Sequence, residues 1–106
     1  MGKFIFAFLL LFPIVTFAAQ EDYVITLKDN KFSPEELRIP ANKKVEVVIY
    51  NQDGKRETFY SFDLNRSQSI EANGSKKIYI GPLKAGNYRF EGKWHPKTAK
   101  GLIIAD

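Results

Sequence analysis

Short segments in which apolar and polar residues alternate make up most of this chain, and they constrain its fold more than any other feature. In residues 44–50, the clearest of these segments, Val45, Val47 and Ile49 fall on one face of an extended strand. Turn-forming sequences such as Asn51-Gln52-Asp53-Gly54 separate the segments at intervals of roughly 8 to 12 residues. No segment has the apolar period of a long amphipathic helix. The pattern therefore predicts an all-β fold, a β-sandwich.

Seven or eight strands are expected, and residues 68–71 form the weakest of them. The predicted strands cover residues 23–28, 36–39, 44–50, 59–63, 68–71, 76–80, 88–91 and 102–105. Ser33-Pro34-Glu35-Glu36 is typical of a helix start, but Pro40 limits any helix there to one turn. Since no internal repeat or linker separates the segments, they are expected to form one small domain.

The first 18 residues have the layout of a secretory signal peptide. Lys3 supplies a positive start, residues 4–15 form an apolar run, and Thr16 and Ala18 are small residues at the positions that precede cleavage. The apolar run is shorter than the roughly 20 residues that a membrane-spanning helix needs. We therefore predict a signal peptide at 1–18 and an exported mature domain at 19–106, without stable membrane insertion after cleavage. The alternative is an uncleaved membrane anchor.

Charge and composition argue against several classes of function. The chain carries a formal net charge of +4, and loss of Lys3 with the signal peptide lowers it to +3. Because the basic residues are spread along the chain, this weak positive charge does not indicate a nucleic-acid partner. The chain has no Cys and a single His, so it folds without disulfides. It also lacks the nucleophile–base arrangement of the common hydrolases and transferases, and no enzymatic activity is expected.

Five segments together carry a resemblance to a known family. They are residues 32–41, Asn51-Gln52-Asp53, residues 59–65, residues 80–88 and residues 94–101. In the order and spacing of these segments, the chain resembles the cupredoxins, the Greek-key β-sandwiches that include plastocyanin. Within that superfamily it is most similar to the EfeO-type cupredoxin-like domains linked to bacterial iron uptake. The resemblance covers essentially the whole mature chain and implies a cupredoxin-like Greek-key β-sandwich in the periplasm.

The resemblance also indicates where a copper protein of this family would keep its ligands. Blue-copper cupredoxins have an early His and a later C-x2-H-x4-M pattern, and the same spacing here gives Gly92, His95 and Lys100. The early His position, counted from Asn51, falls on Glu57. One His position is therefore retained, the Cys and Met are absent, and a lysine ammonium would repel a cation. Since blue-copper electron transfer depends on a copper–thiolate bond, the resemblance implies a different role.

The ligand set that the resemblance implies is a mixed carboxylate–imidazole site of Glu57, His95 and Glu91. Asp63 and Trp94 are candidates for positions around it. Oxygen donors with one imidazole suit iron, manganese, zinc or Cu(II). The family's link with iron transport favours iron, and intrinsic affinities favour Cu(II). The predicted cofactor is therefore a transition-metal ion, iron or Cu(II), and the predicted partner is a membrane iron-transport component.

Each candidate residue also has a plainer interpretation. Glu57 follows two basic residues in a predicted turn and could be a solvated charge, and Asp63 could cap a turn through its side-chain oxygens. Trp94 could shield the site or present a docking surface. Five basic residues lie on the two loops that meet at this end in cupredoxins and could form a cationic rim or a merely solvated surface. They are Lys55, Arg56, Lys93, Lys97 and Lys100.

Two functions from different classes follow from this sequence. The first is an exported cupredoxin-like protein that binds a transition-metal ion as an accessory to metal uptake. The second is a metal-free β-sandwich interaction module that docks a periplasmic or membrane partner. A third, electron transfer by a redox-active metal without a thiolate, has the least support from the residues.

Overall fold

Nine β-strands form from the alternating segments in the computed structural model, which describes residues 23–106. They are β1 (Tyr23–Lys28), β2 (Lys31–Ser33), β3 (Glu36–Ile39), β4 (Val45–Asn51), β5 (Glu57–Ser61), β6 (Arg66–Ile70), β7 (Ser75–Ile80), β8 (Gly86–Gly92) and β9 (Lys100–Ala105). The predicted signal peptide at 1–18 and the first residues of the predicted mature chain lie outside the described residues. Within the part described, the structure has no helix with the length and apolar character needed to cross a membrane.

The strands assemble into two sheets. The four-stranded sheet has the order β2-β1-β4-β7, and the five-stranded sheet has the order β3-β9-β8-β5-β6. Two of the strand pairs, β1 with β4 and β3 with β9, are parallel, and the others are antiparallel. The chain passes from one sheet to the other several times between these pairs, so both sheets contribute to one core. The predicted all-β sandwich is confirmed.

The inward-facing side chains form an apolar core between the sheets. Phe59 of β5 and Phe90 of β8 stack with ring centroids 5.0 Å apart, and Phe32 meets Phe90 edge-on at 5.3 Å. Buried aliphatic side chains surround these rings, among them Ile25, Leu27, Ile39, Val47, Ile49, Ile70, Ile80 and Ile103. Because β5 and β8 also carry the candidate site, dense packing around Phe59 and Phe90 fixes the strands that position it.

The structure adds one strand, β2, to those predicted, and β5, β6, β8 and β9 each begin two residues before their predicted starts. Lys31–Ser33 forms a short edge strand that pairs with β1, and a bend follows it where the sequence suggested one helical turn. β5 begins at Glu57, two residues before the predicted start at Phe59, because Glu57 pairs with Ile70 of β6. This shift moves Glu57 out of the predicted turn and into a strand with one buried face.

Candidate metal centre

The connections that follow β1, β4, β6 and β8 lie at one end of the sandwich and carry the candidate site. Because β1 and β4 run parallel, with Leu27 opposite Asn51, the turn after β1 and the loop after β4 leave at the same end. β5 starts there at Glu57, opposite the last residue of β6. The loop between β8 and β9 joins this group, since Lys93 donates its backbone N–H to the carbonyl of Thr58 at 2.9 Å.

Asn51, at the end of β4, shapes the loop that leads to Glu57. Its side chain is 1% exposed and donates hydrogen bonds to the carbonyl oxygens of Lys55 at 2.8 Å and Ile70 at 3.2 Å. Its side-chain oxygen accepts the backbone N–H of Asp53 at 2.9 Å. We did not predict this role from the sequence. The signal for it is an Asn at a strand end whose side chain can bind the backbone two residues later.

Glu57 faces the interior of the sandwich. Along β5 the residues Glu57, Phe59 and Ser61 are buried, while the two between them are partly exposed, so strand alternation directs the carboxylate inward. Glu57 is 2% exposed, and its two carboxylate oxygens accept the backbone N–H of Trp94 at 3.1 and 3.3 Å. This burial rules out the alternative interpretation of Glu57 as a solvated charge in a turn.

Gly92 leaves the space that the carboxylate of Glu57 occupies. Gly92 lies opposite Phe59 in the pairing of β8 with β5, so its missing side chain would point toward the same interior face. A Cβ atom placed on Gly92 would overlap Oε2 of Glu57 and would lie 2.9 Å from the Cβ of Ala99. In the resemblance, Gly92 stands at the position of the copper thiolate. A carboxylate oxygen of Glu57, from the neighbouring strand, therefore fills the space where that thiolate's side chain would begin.

His95 is held in a tight loop directly after β8. Its backbone N–H donates to the carbonyl of Gly92 at 3.1 Å, and its own carbonyl accepts the N–H of Ala99 at 2.8 Å. The loop closes where Gly92 donates to the carbonyl of Ala99 at 2.8 Å. The side chain of His95 is 32% exposed, and its Nδ1 lies 3.5 Å from Oε1 of Glu57. Nδ1 is buried and has no hydrogen-bond partner among the described residues.

The Glu57–His95 pair has the spacing of two neighbouring ligands of one metal ion. Two donors bonded at about 2.0–2.2 Å to a tetrahedral ion lie about 3.4 Å apart, and the observed separation is 3.5 Å. Across residues 23–106, no third His, Cys, Asp or Glu side chain completes a metal-binding group with them. The residues therefore do not fit a blue-copper centre, which needs two imidazoles and a thiolate. Their spacing fits two donors, one nitrogen and one oxygen, of a single ion.

Trp94 belongs to the site through its backbone, since its N–H anchors the carboxylate of Glu57. Its side chain is 61% exposed, and the Nζ of Lys93 lies 5.5 Å from the centre of the indole ring. The sequence named Trp94 as a candidate for a position around the site, and the structure brings its backbone, not its indole, into contact with Glu57. The indole is therefore both a solvent-accessible surface and a fluorescent reporter next to the carboxylate.

Glu91 and Asp63 are not brought to the Glu57–His95 pair. Glu91 precedes Gly92, and strand alternation turns it to the outer face of the five-stranded sheet, where Lys100 lies opposite it. Asp63 accepts the backbone N–H of Arg89 at 2.8 Å, and its Oδ2 lies 3.6 Å from the Nε of the same arginine. Both carboxylates line a surface cavity of about 230 Å³ on that outer face. Of the three predicted ligands, Glu57 and His95 therefore lie close together, and Glu91 lies on the opposite face of the sheet.

The structure places the five basic residues of the possible rim in two groups. Four of them, Lys55, Arg56, Lys93 and Lys97, are exposed on the two loops beside the site. Arg56 is within 3.9 Å of the carboxylate of Glu71, so part of its charge is offset. The fifth, Lys100, starts β9 on the outer face. The two loops that flank Trp94 therefore carry four exposed basic residues.

The sequence matches the family model described as Cupredoxin-like domain over residues 3–105. It is also 39% identical over 82 residues to Uncharacterized protein RP394 of Rickettsia prowazekii (strain Madrid E), a match that covers 77% of this chain. The chain spans 66% of that relative's length, slightly less than two thirds.

Solved copper proteins share the architecture. Amicyanin from Paracoccus versutus superposes with a TM-score of 0.66 at 18% identity, covering 85% of this chain and 86% of amicyanin. Auracyanin A from Chloroflexus aurantiacus, a "blue" copper protein, gives 0.68 at 12% identity over 81% of this chain and 98% of auracyanin. The metal binding domain of the Cu(I) exporting P-type ATPase CopA from Streptococcus pneumoniae D39 gives 0.70 at 14% identity, covering 80% and 84%. At such identities the likeness concerns the fold, and with the sequence match it shows that this chain belongs to the cupredoxin-like domain family.

Proposed function

We propose that this domain binds a single transition-metal ion through Glu57 and His95 and serves metal uptake in the periplasm. The observation that carries the proposal is the buried, unpartnered Nδ1 of His95, 3.5 Å from a buried carboxylate. Buried polar atoms in native proteins almost always have a partner, and a buried carboxylate without a neutralising charge costs free energy. An ion held between the two groups would give Nδ1 a partner and would offset the charge of the carboxylate, whose oxygens already accept the Trp94 N–H.

The open coordination positions bear on how such an ion is used. Two protein donors leave room for water or for a donor from another molecule, so we expect low to moderate affinity and ready release. This suits an ion that is handed on. Intrinsic affinities favour Cu(II), and the solved neighbours of the fold include copper proteins. The resemblance to EfeO-type domains favours iron. A nitrogen–oxygen donor set accepts either ion.

Cellular context completes the proposal. The signal-peptide pattern at 1–18 supports export to the periplasm, and the EfeO-type resemblance suggests a membrane iron-transport component as the partner. In this role the protein is an accessory that binds and delivers an ion, and no catalytic step is assigned to it.

Direct titration tests the proposal. Cu(II) or Fe(II) is added to the purified mature protein while the fluorescence of Trp94 is recorded, because a paramagnetic ion bound beside this single Trp would quench it. His95→Ala should weaken binding at least about tenfold, the scale on which metal sites respond to loss of a supporting group. Gln52→Ala, an exposed change in the loop after β4 at the same end of the sandwich, is the control and should bind like the parent. Equal affinity of His95→Ala and the parent would overturn the assignment of the site.

A metal-free interaction module is the second candidate, and one observation favours it. Trp94 is 61% exposed beside the exposed Lys93 and Lys97, while residues 23–106 contain no group of three metal-ligating His, Cys, Asp or Glu side chains. An exposed aromatic side chain with two lysines in the same loop suits contact with an acidic protein surface. Absence of Cu(II) and Fe(II) binding by the parent at neutral pH would make this function the better explanation.

A further inference from the structure

Gly92 determines which atom occupies the interior space between β5 and the β8–β9 loop. A Cβ atom at this position would overlap Oε2 of Glu57 and would lie 2.9 Å from the Cβ of Ala99, distances that real Cβ atoms essentially never show. The backbone does not demand glycine here, because the glycines with positive φ in the described part are Gly81 and Gly86. Glycine is needed at position 92 only because a side chain would not fit there, and the carboxylate of Glu57 fills the space.

We infer that Gly92 is a specificity-determining residue of the site. By leaving its side-chain space to the carboxylate of Glu57, it gives the site an oxygen–nitrogen donor pair that selects Cu(II) and other divalent ions against Cu(I). This inference rests on the proposed function, since it concerns the ion held by Glu57 and His95. In this packing, position 92 cannot carry a side chain while the carboxylate of Glu57 points inward. This excludes a thiolate there as well.

The chemistry of the donors supports the direction of the selectivity. Cu(I) is selected by soft thiolate and thioether ligands, and the described residues contain neither Cys nor Met, since the single Met of the chain is Met1. A carboxylate is an anionic oxygen donor, and its attraction to an ion grows with the charge of that ion. In a site that is 2% exposed at Glu57, this attraction is screened less than it would be in water.

Glycine-to-alanine variants test the inference without adding a ligand. The parent, Gly92→Ala and the matched control Gly54→Ala are titrated with Cu(II), and with Cu(I) under anaerobic conditions against a competing chelator. A Cβ added at Gly54 would have no heavy atom within 4 Å, so its substitution should leave both affinities unchanged. Gly92→Ala should displace the carboxylate and lower the Cu(II) affinity at least about tenfold. Its weak Cu(I) affinity should stay the same, so the preference for Cu(II) shrinks.

A second variant guards against misfolding. Because the added methyl group also approaches Ala99, Gly92→Ala is repeated with Ala99→Gly, which removes that contact and keeps the overlap with Glu57. The strand signal in circular dichroism confirms folding of each variant. If the parent binds Cu(I) more tightly than Cu(II), or if the folded Gly92 variants bind Cu(II) like Gly54→Ala, the inference is wrong while metal binding itself stands. If the parent binds neither ion, the proposed function fails as well.

Discussion

Replacing Glu57 by Gln separates what the carboxylate does for the fold from what it does for the site. The substitution keeps the shape of the side chain and an oxygen that can accept the Trp94 N–H. It removes a negative charge that is 3% exposed, and it offers an N–H to Nδ1 of His95, which now lacks a partner. We expect the metal-free variant to be more stable than the metal-free parent and to bind metal ions more weakly.

The expected gain in stability comes from two terms. Burying an ionised carboxylate costs more free energy than burying a neutral amide. We take about 1 kcal/mol for this difference, the lower end of the range for replacing buried ion pairs by hydrophobic residues, because Trp94 already donates to the carboxylate. A new hydrogen bond to Nδ1 adds about 0.5–1.5 kcal/mol once the 3.5 Å separation shortens to normal bonding distance. The sum is about 2 kcal/mol. Since 1 kcal/mol shifts the Tm of a domain of this size by about 4–8 °C, the Tm should rise by at least about 8 °C.

Thermal unfolding of chelator-treated protein, followed by circular dichroism near neutral pH, measures this change. Glu91→Gln is the matched control, because Glu91 is a half-buried carboxylate on the outer face and its neutralisation should stay within about 0.5 kcal/mol. A fall in Tm for Glu57→Gln would show that the carboxylate forms a structural ion pair with a charged His95. That result would refute the argument that the carboxylate is kept for an ion.

Further predictions concern the copper spectrum, the core, the loop and export. Cu(II)-loaded protein should lack the intense absorption of a copper–thiolate bond and show only weak ligand-field bands, and an intense blue colour in its visible spectrum would contradict the donor assignment. Phe59→Ala should cost about 3–5 kcal/mol in a urea titration, because the ring is fully buried between Phe32 and Phe90. Asn51→Ala should cost about 1–3 kcal/mol in the same assay and also weaken metal binding, because it removes the bonds to Lys55 and Ile70 that shape the loop before Glu57. Intact-mass measurement of the protein from the envelope fraction should give a chain beginning at Ala19, and the full-length mass there would contradict cleavage.

The fold was predictable because strand alternation acts locally. Val45, Val47 and Ile49 fall on one face whatever the partner strand, and the structure buries all three. Where the alternation was weak, the boundaries shifted. Lys31–Ser33 becomes a strand only because β1 offers it a partner, and Glu57 joins β5 only through its pairing with Ile70. Both strand boundaries depend on pairing with other strands, so the local alternation of apolar and polar residues could not predict them.

The site was predictable in part, for the same physical reason. The position of His95 in its loop and the count from Asn51 to Glu57 predicted that these two residues lie at one end of the sandwich, and the structure brings their side chains to 3.5 Å. Glu91 was an attractive ligand because it precedes Gly92, yet the two-residue period of a strand turns it to the opposite face. Nothing in the sequence shows that the room left by Gly92 is filled from another strand, because that contact joins residues on β5 and β8.

In this domain, the absence of a thiolate at position 92 and the buried carboxylate of Glu57 are linked by steric exclusion. A side chain at position 92 and the inward carboxylate of Glu57 compete for the same space, so position 92 cannot carry a side chain while the carboxylate keeps its place. A glutamine at position 57 would fill that space, satisfy Nδ1 of His95 and avoid burying a charge. The chain instead has a glutamate there, 3.5 Å from an imidazole nitrogen without a hydrogen-bond partner, and we expect this arrangement to weaken the isolated fold and to suit a cation. The stability of Glu57→Gln and the affinity of the parent for Cu(II) therefore both test whether the carboxylate of Glu57 serves to bind a cation.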